Sequence, residues 1–331
     1  MAKPKVYIHR VGHWYSQFLD EQTERTLRAF ADVVSEQGRE KPLSPAGLVE
    51  RMRGCMAILS LNGLNAEEIT ADVLRAAGTI RLICIAHYWG LRHFPGITRD
   101  TGIPVVEGSN AGTAAVGEWI IAASLMGIRR LHAFDQALKR GSPWGEPRHG
   151  VGLLSGSVAG LVGLGRIGRY VAQSFRALGV RCIGYSQSCP PDLAAALGIT
   201  LVPLEQLLRS ADIISLNHRV VDETRGRLGA REFSMLKNKC VFINAARAGL
   251  YDERALVDEL MKGRFTAYID VFETEPLPLD HLFRSLRNVV VTPHIAGNNA
   301  EMLLRCGRDA VHTLKDFFDG KEPIDKRYAY P

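Results

Sequence analysis

Three short stretches carry side chains that could do chemistry together. Ile243-Asn244-Ala245-Ala246-Arg247-Ala248-Gly249 supplies an arginine, Asp270-Val271-Phe272-Glu273-Thr274-Glu275-Pro276 supplies carboxylates, and Thr292-Pro293-His294-Ile295-Ala296-Gly297 supplies a histidine. A planar guanidinium fork matches a carboxylate ligand. An imidazole gives or takes a proton near neutral pH, and a neighbouring carboxylate fixes its tautomer and favours its charged form. That set suits reduction of a carbonyl beside a carboxylate, a 2-oxo acid, if a dinucleotide delivers the hydride. Singly, each residue has a plainer reading: Arg247 as a surface ion pair, Glu275 as a solvated loop carboxylate, His294 as a turn or core histidine. Their joint occurrence downstream of a glycine turn is what points to chemistry.

The turn lies in Val158-Ala159-Gly160-Leu161-Val162-Gly163-Leu164-Gly165-Arg166-Ile167-Gly168-Arg169, a strand, a turn and a helix start. Gly163 permits a tight turn, Gly165 lets the backbone approach a pyrophosphate, and Gly168 lets the helix pack on the strand. The pyrophosphate would sit on free N–H groups at the helix N-terminus. The next strand, Cys182-Ile183-Gly184-Tyr185, should end in a carboxylate that holds the ribose of NAD. It ends instead at Ser186-Gln187-Ser188. Neutral side chains tolerate a 2′-phosphate where a carboxylate would repel it, so this end favours NADPH. A relaxed NAD site with weaker ribose contacts is the other reading.

These motifs need elements to hold them. The 331 residues favour two domains. Strand-like runs at 6–8, 57–61, 82–86 and 104–106 alternate with helical spacing over 21–37 and 66–77, an α/β pattern with a parallel sheet. A long apolar helix candidate spans 112–133, followed by a Gly- and Pro-rich loop at 139–147. A second series has strand candidates at 158–162, 182–185, 213–216, 241–244, 267–269 and 289–292, the rhythm of a doubly wound dinucleotide-binding domain. Residues 300–319 read as helix.

Composition excludes other classes. Hydrophobic content of 46% and charged content of 23% are those of a globular protein. No apolar run reaches the length of a membrane span, and the N-terminus does not read as a signal peptide. Six scattered cysteines without a CxxC pair imply reduced thiols and a cytoplasmic location. The net charge of +6 comes without a basic tail or zinc knuckle, so neither nucleic acid nor a metal is expected as a partner.

From about Gly152 to Gly297 the chain resembles the D-isomer-specific 2-hydroxyacid dehydrogenases, which include glyoxylate/hydroxypyruvate reductases and phosphoglycerate dehydrogenases. The glycine turn, Asn244–Gly249 with its arginine, Asp270–Pro276 and Pro293-His294 carry the likeness, supported by Gly102–Val106 and Val116-Gly117-Glu118. The first eighty residues match only in rhythm. The resemblance implies a Rossmann nucleotide-binding domain (109–298) inserted into a flavodoxin-like substrate domain (1–108, completed by 299–331), in a homodimer whose interface involves the 112–133 helix and the loop after it. It implies His294 as general acid, Glu275 on its other ring nitrogen and Arg247 on the substrate carboxylate, with a product of D configuration. Cofactor contacts are expected from Gly163, Gly165, Arg166, Ile167, Gly168, Ser186, Gln187, Ser188, Asn217, Arg219, Thr224, Ala245, Arg247, Asp270 and His294, with Asp270 on the nicotinamide carboxamide. His87 and the backbone at Trp89 and Gly90 would complete the substrate site. Formate dehydrogenases of the family carry glutamine where Glu275 stands, which argues against formate.

Two stretches depart from the family pattern. Ala86–Phe94 carries His87, Trp89, Arg92 and His93 where the family has a small-residue loop, so a second anionic group on the substrate is one reading and plain packing the other. Arg219 replaces the family's proline near the adenosine, where it could reach a 2′-phosphate or stack on adenine. Two rivals differ in kind. One is a dinucleotide-sensing corepressor, disfavoured because the chain leaves little room for terminal extensions. The other is phosphite oxidation with the same arginine and histidine.

Overall fold

The computed structural model describes all residues except 1, 10–14, 36–38, 40, 62–65, 88–92, 145–150 and 322–331. The chain divides into two compact units, Met1–Gly112 with Asn298–Pro331, and Thr113–Gly297.

In the first unit β1 (Lys5–His9), β2 (Asp32–Ser35), β3 (Ala57–Ser60), β4 (Leu82–Ile85) and β5 (Val105–Glu107) form a parallel sheet of order β2-β1-β3-β4-β5. This is the flavodoxin-like order. Every residue of β3 and β4 is buried, as near-continuous apolar runs require when helices cover both faces. The C-terminal helix Ala300–Phe318 belongs to this unit. Asn299 caps it by accepting from the Met302 N–H at 2.9 Å. Met302, Leu303, Cys306, Ala310, Val311 and Leu314 face the core at helical spacing. Gly307 is obligatory there, because a Cβ would lie 1.7 Å from the Phe18 carbonyl oxygen.

A buried polar cluster closes the C-terminal ends of β1 and β3. The His9 ring Nε2 meets Glu68 Oε1 at 2.9 Å, the Arg39 fork donates to both Glu68 oxygens at 2.6 and 3.0 Å, and the Leu43 N–H donates at 2.7 Å. Burial alone would raise the Glu68 carboxyl. The hydrogen bonds from His9, Arg39 and Leu43 outweigh it and hold the carboxyl down at about 2.

In the second unit β6 (Val158–Val162), β7 (Arg181–Tyr185), β8 (Ile199–Leu201), β9 (Ile213–Leu216), β10 (Val241–Asn244), β11 (Thr266–Ile269) and β12 (Val289–Val291) are all parallel, in the order β12-β11-β10-β9-β6-β7-β8. The order reverses between β6 and β9, and ligands of doubly wound sheets bind beyond the strand ends at such a point. One face is packed by Leu207, Phe233, Phe242 and Leu256, the other by Val116, Ile120, Val171 and Phe175.

Several expectations change in three dimensions. The helical run expected over 21–37 stops at Phe30, and the Val33-Val34 pair continues as edge strand β2, because β-branched residues suit a pleated surface. Strand β8 was not expected at all. The helix expected over 112–133 is two, Ala111–Ile128 and Leu131–Lys139, broken where Arg130 turns left-handed at φ 52°. The first of these corrects the reading that nothing reaches span length. It is 18 residues long with mean hydropathy 1.4, long and apolar enough by length and composition to cross a membrane. Half of it is buried within the structure, with Val116, Ile120 and Ala123 in the core and Glu118 exposed. An apolar helix of this kind is what one whole side of a parallel sheet requires as cover.

Candidate active site

The three glycines of the turn meet different surroundings. Gly163 has φ +104°, and a Cβ there would lie 2.4 Å from His218 Cδ2 and 2.8 Å from the Asn217 backbone. Gly168 would place a Cβ 2.2 Å from the Gly163 carbonyl oxygen. At Gly165, the N-cap of the helix Arg166–Ala177, a Cβ would meet nothing within 4 Å. Open space over the N-terminus of a twelve-residue helix is where a pyrophosphate fits, so the residues present suit a dinucleotide. Arg166 and Ile167 form the first turn of that helix.

Arg247 follows β10 by three residues. The fully buried Asn244 at the strand end staples this turn, accepting from the Ala246 N–H and donating to the Arg247 carbonyl, each at 3.0 Å. Arg247 itself donates to the Ala246 carbonyl. Phe233, Phe242 and Tyr251 stack edge-to-face beneath, with centroids 5.5 to 6.1 Å apart.

Asp270 directly follows β11 and is completely buried. Its Oδ1 accepts from the Thr292 hydroxyl at 2.5 Å and the Ile295 N–H at 2.9 Å, and its Oδ2 accepts from the Ala296 N–H at 2.8 Å. These bonds clamp the loop on either side of His294, whose φ is +54°. A left-handed histidine costs about 1–2 kcal/mol and persists only where its surroundings over-determine it. His294 Nδ1 meets Glu275 Oε2 at 2.7 Å, and Glu275 Oε1 accepts from the Phe272 N–H at 3.0 Å. Burial pushes the Glu275 carboxyl up. The His294 bond, the Phe272 N–H and the charges of His294 and Arg247 outweigh that and hold it below the usual carboxylate range. Glu275 is therefore ionised at neutral pH, and the Arg247 charge acts on the same carboxylate as the imidazole.

At the end of β7 Ser186 accepts from the Cys189 N–H at 3.1 Å, and Gln187 and Ser188 are exposed. Beyond β9 the Asn217 side chain bonds Ser215, while the buried Thr224 hydroxyl donates to the Arg219 carbonyl at 2.8 Å and ties that loop. The Arg219 side chain is exposed. Ala245 is buried under the Arg247 turn.

Of the substrate-loop residues, His87 lies in the first unit, half-buried and edge-on to Phe18 at 6.4 Å. Trp89, Gly90 and Arg92 lie outside the described residues, as do 10–14. Among the described residues no cluster of three or more His, Cys, Asp or Glu side chains is placed to hold a metal. All six cysteines are free thiols. The sequence reading missed Asn244 and Thr292 as scaffolding, although a polar residue closing an apolar strand was visible at 244. It also missed the side chains packed around Tyr185.

The family model for the "D-isomer specific 2-hydroxyacid dehydrogenase, NAD binding domain" matches residues 121–296. The chain is 35% identical over 331 residues to a glyoxylate reductase of Aeropyrum pernix, covering 98% of this chain and 95% of that protein. It is 30% identical over 305 residues to a D-3-phosphoglycerate dehydrogenase of Methanocaldococcus jannaschii, covering 92% of this chain but only 56% of that protein, so it spans little more than half of that relative. A crystal structure of a phosphoglycerate oxidoreductase from Rhizobium etli has the same fold, with a TM-score of 0.83 at 22% identity, covering 100% of this chain and 98% of that one. The matching NAD-binding domain contains the glycine turn and the open helix N-terminus, and the match supports a nicotinamide dinucleotide as the cofactor. With that match spanning more than half of the sequence and a full-length relative at 35% identity, the chain belongs to the D-isomer specific 2-hydroxyacid dehydrogenase family.

Proposed function

We propose that the protein reduces a 2-oxo acid to the D-2-hydroxy acid with NADPH in preference to NADH. The observation that carries the acid–base chemistry is the 2.7 Å contact between His294 Nδ1 and Glu275, on a carboxylate that also feels the Arg247 charge; the cofactor preference rests on the neutral Ser186-Gln187-Ser188 after β7. When bound, the dinucleotide supplies the hydride. Gly163, Gly165 and Gly168 with the N–H groups of Arg166 and Ile167 would hold its pyrophosphate, and Asp270 fixes the loop that carries His294. Arg247 binds the substrate carboxylate through its fork and orients the carbonyl. Glu275, ionised, holds the proton on Nδ1 and so stabilises an imidazolium, whose Nε2 gives its proton to the carbonyl oxygen as negative charge develops there. In the reverse direction the same nitrogen takes the proton back.

Glyoxylate or hydroxypyruvate is the default substrate. A dianionic 2-oxo acid is the sharper proposal and rests on the basic residues of the 87–93 loop. The test is absorbance loss of NADPH and NADH at matched concentration against monoanionic and dianionic 2-oxo acids, with His294→Ala as control. Turnover with NADPH that His294→Ala removes, while cofactor binding persists, supports the assignment. Near-normal turnover in that variant sinks the acid–base role.

The assembly we propose is a homodimer. Leu131 and Leu138 are exposed along the helix Leu131–Lys139, and Trp144 and Leu153 flank the loop that follows, 90% and 72% exposed. Exposed apolar side chains gathered on one stretch mark an interaction surface. Sedimentation equilibrium giving a monomer at micromolar concentration would reject this assembly.

A further inference from the structure

We propose that Arg227, seated on the Tyr185 ring, is the residue that recognises the 2′-phosphate and so sets the preference for NADPH. This rests on the NADPH reading above and names the side chain responsible, which the sequence does not single out.

Tyr185 is the last residue of β7 and directly precedes Ser186. Its carbonyl accepts the Gly163 N–H at 2.8 Å, so its backbone is part of the glycine turn. Its side chain holds Arg227: the guanidinium carbon lies 5.1 Å from the ring centroid, and Nη2 donates to the hydroxyl at 2.5 Å. Nη1 donates to the Glu223 carbonyl at 3.1 Å. Both acceptors are neutral, and Arg227 has no carboxylate partner among the described residues. Its Nε is buried without a hydrogen-bond partner. A part-buried guanidinium with neutral acceptors and an unused donor is costly unless an anion completes it.

The neighbours point the same way. The three residues after Tyr185 are neutral, so nothing there opposes a phosphate. His218 packs against Tyr185 at 6.1 Å and closes over the Gly163 turn. Burial first, and then the Arg227 charge, hold its imidazole below the ordinary histidine range. At neutral pH the fixed cation beside Tyr185 is therefore Arg227. Arg219 is exposed, where water and salt screen its charge.

The test is calorimetric binding of adenosine 2′,5′-bisphosphate and AMP, with NADP+ and NAD+ as the full-length pair, to wild type, Arg227→Gln and Arg219→Gln. Charge-assisted bonds to a phosphate are worth about 10- to 100-fold in affinity. Arg227→Gln should lose that much for the 2′-phosphorylated ligand while AMP binding changes less than about three-fold. An unchanged preference in Arg227→Gln overturns the assignment and leaves the NADPH reading standing, and equal loss for both ligands reduces Arg227 to a structural staple. A wild type without preference for the 2′-phosphate overturns both. Should Arg227→Gln fail to fold, Tyr185→Phe removes the hydroxyl that positions Nη2. Its ratio should also fall, and an unchanged ratio overturns the assignment.

Discussion

Glu275→Gln separates catalysis from stability at the proposed acid–base pair. In the native site one carboxylate oxygen accepts from the Phe272 N–H at 3.0 Å and the other from His294 Nδ1 at 2.7 Å. Glutamine has a single acceptor oxygen. If that oxygen stays on Phe272, the amide donates toward His294 and demands the opposite tautomer; if it turns to His294, two donors face each other at Phe272. Either way the negative charge that favours imidazolium is gone. The side chains of His294 and Glu275 are 44% and 37% exposed, so after solvent screening the pair contributes less than about 1 kcal/mol to folding. General acid catalysis is worth roughly 10²- to 10⁴-fold. The variant should therefore unfold within a few degrees of wild type while kcat for 2-oxo acid reduction falls by about 100-fold or more. KM should change less, because the carboxylate contact proposed for Arg247 is left in place. The acid limb should change too. The folded Glu275 value is depressed, so the pair is intact above the ordinary carboxylate range and is lost as pH falls through that lower value. The variant should lack this loss. Steady-state oxidation of NADPH with parallel thermal melts reads both quantities, and a kcat within about three-fold of wild type would refute the reasoning.

Asp270→Asn replaces a buried acceptor of three donors with a group that donates on one side, opposite the Ala296 or Ile295 N–H; it should destabilise the protein by about 2 kcal/mol and release the His294 turn, read as a lower urea midpoint together with reduced kcat. Gly165→Ala and Gly168→Ala should differ in kind. At 165 a Cβ meets empty space, so stability should hold within about 0.5 kcal/mol while dinucleotide affinity drops by calorimetry; at 168 it meets a carbonyl oxygen at 2.2 Å, so stability itself should fall by about 2 kcal/mol or more. Equal behaviour of the two would reject the assigned roles. Glu68 is held at about 2 against an ordinary 4.5, which corresponds to about 3 kcal/mol of folding stability. That contribution is fully present above pH 4.5 and lost as pH falls toward 2, so Glu68→Gln should flatten the acid side of the stability curve, and an unchanged curve would contradict the His9–Arg39–Glu68 cluster.

Much was legible in the residues because it is local or periodic. The turn at 163–168 is defined by neighbours within six positions: Gly163 and Gly168 are required by backbone and side-chain atoms close in sequence or at the adjoining strand end, while Gly165 faces open space. Apolar-rich runs such as Ile213–Leu216 and Val241–Asn244 read as covered parallel strands, and every residue of both is buried. The strand β2, by contrast, sits in a run whose helical spacing carries on past Phe30; the β-branched Val33-Val34 pair suits a strand, and pairing with β1 holds 32–35 extended. The same holds for β8, which exists through its pairing with β7.

The sequence by itself therefore determined the two-sheet architecture, the dinucleotide turn and the arginine, carboxylate and histidine that stand together in the family. Only the tertiary structure decided how those groups are held. Asp270 reaches Ile295 and Ala296 across 25 and 26 residues, and Glu275 reaches His294 across 19. Arg227 reaches Tyr185 across 42, turning a cation with no motif around it into a candidate phosphate ligand. Such contacts depend on which strand ends the fold brings side by side, and a hydrogen bond depends on distance and direction that no spacing along the chain encodes.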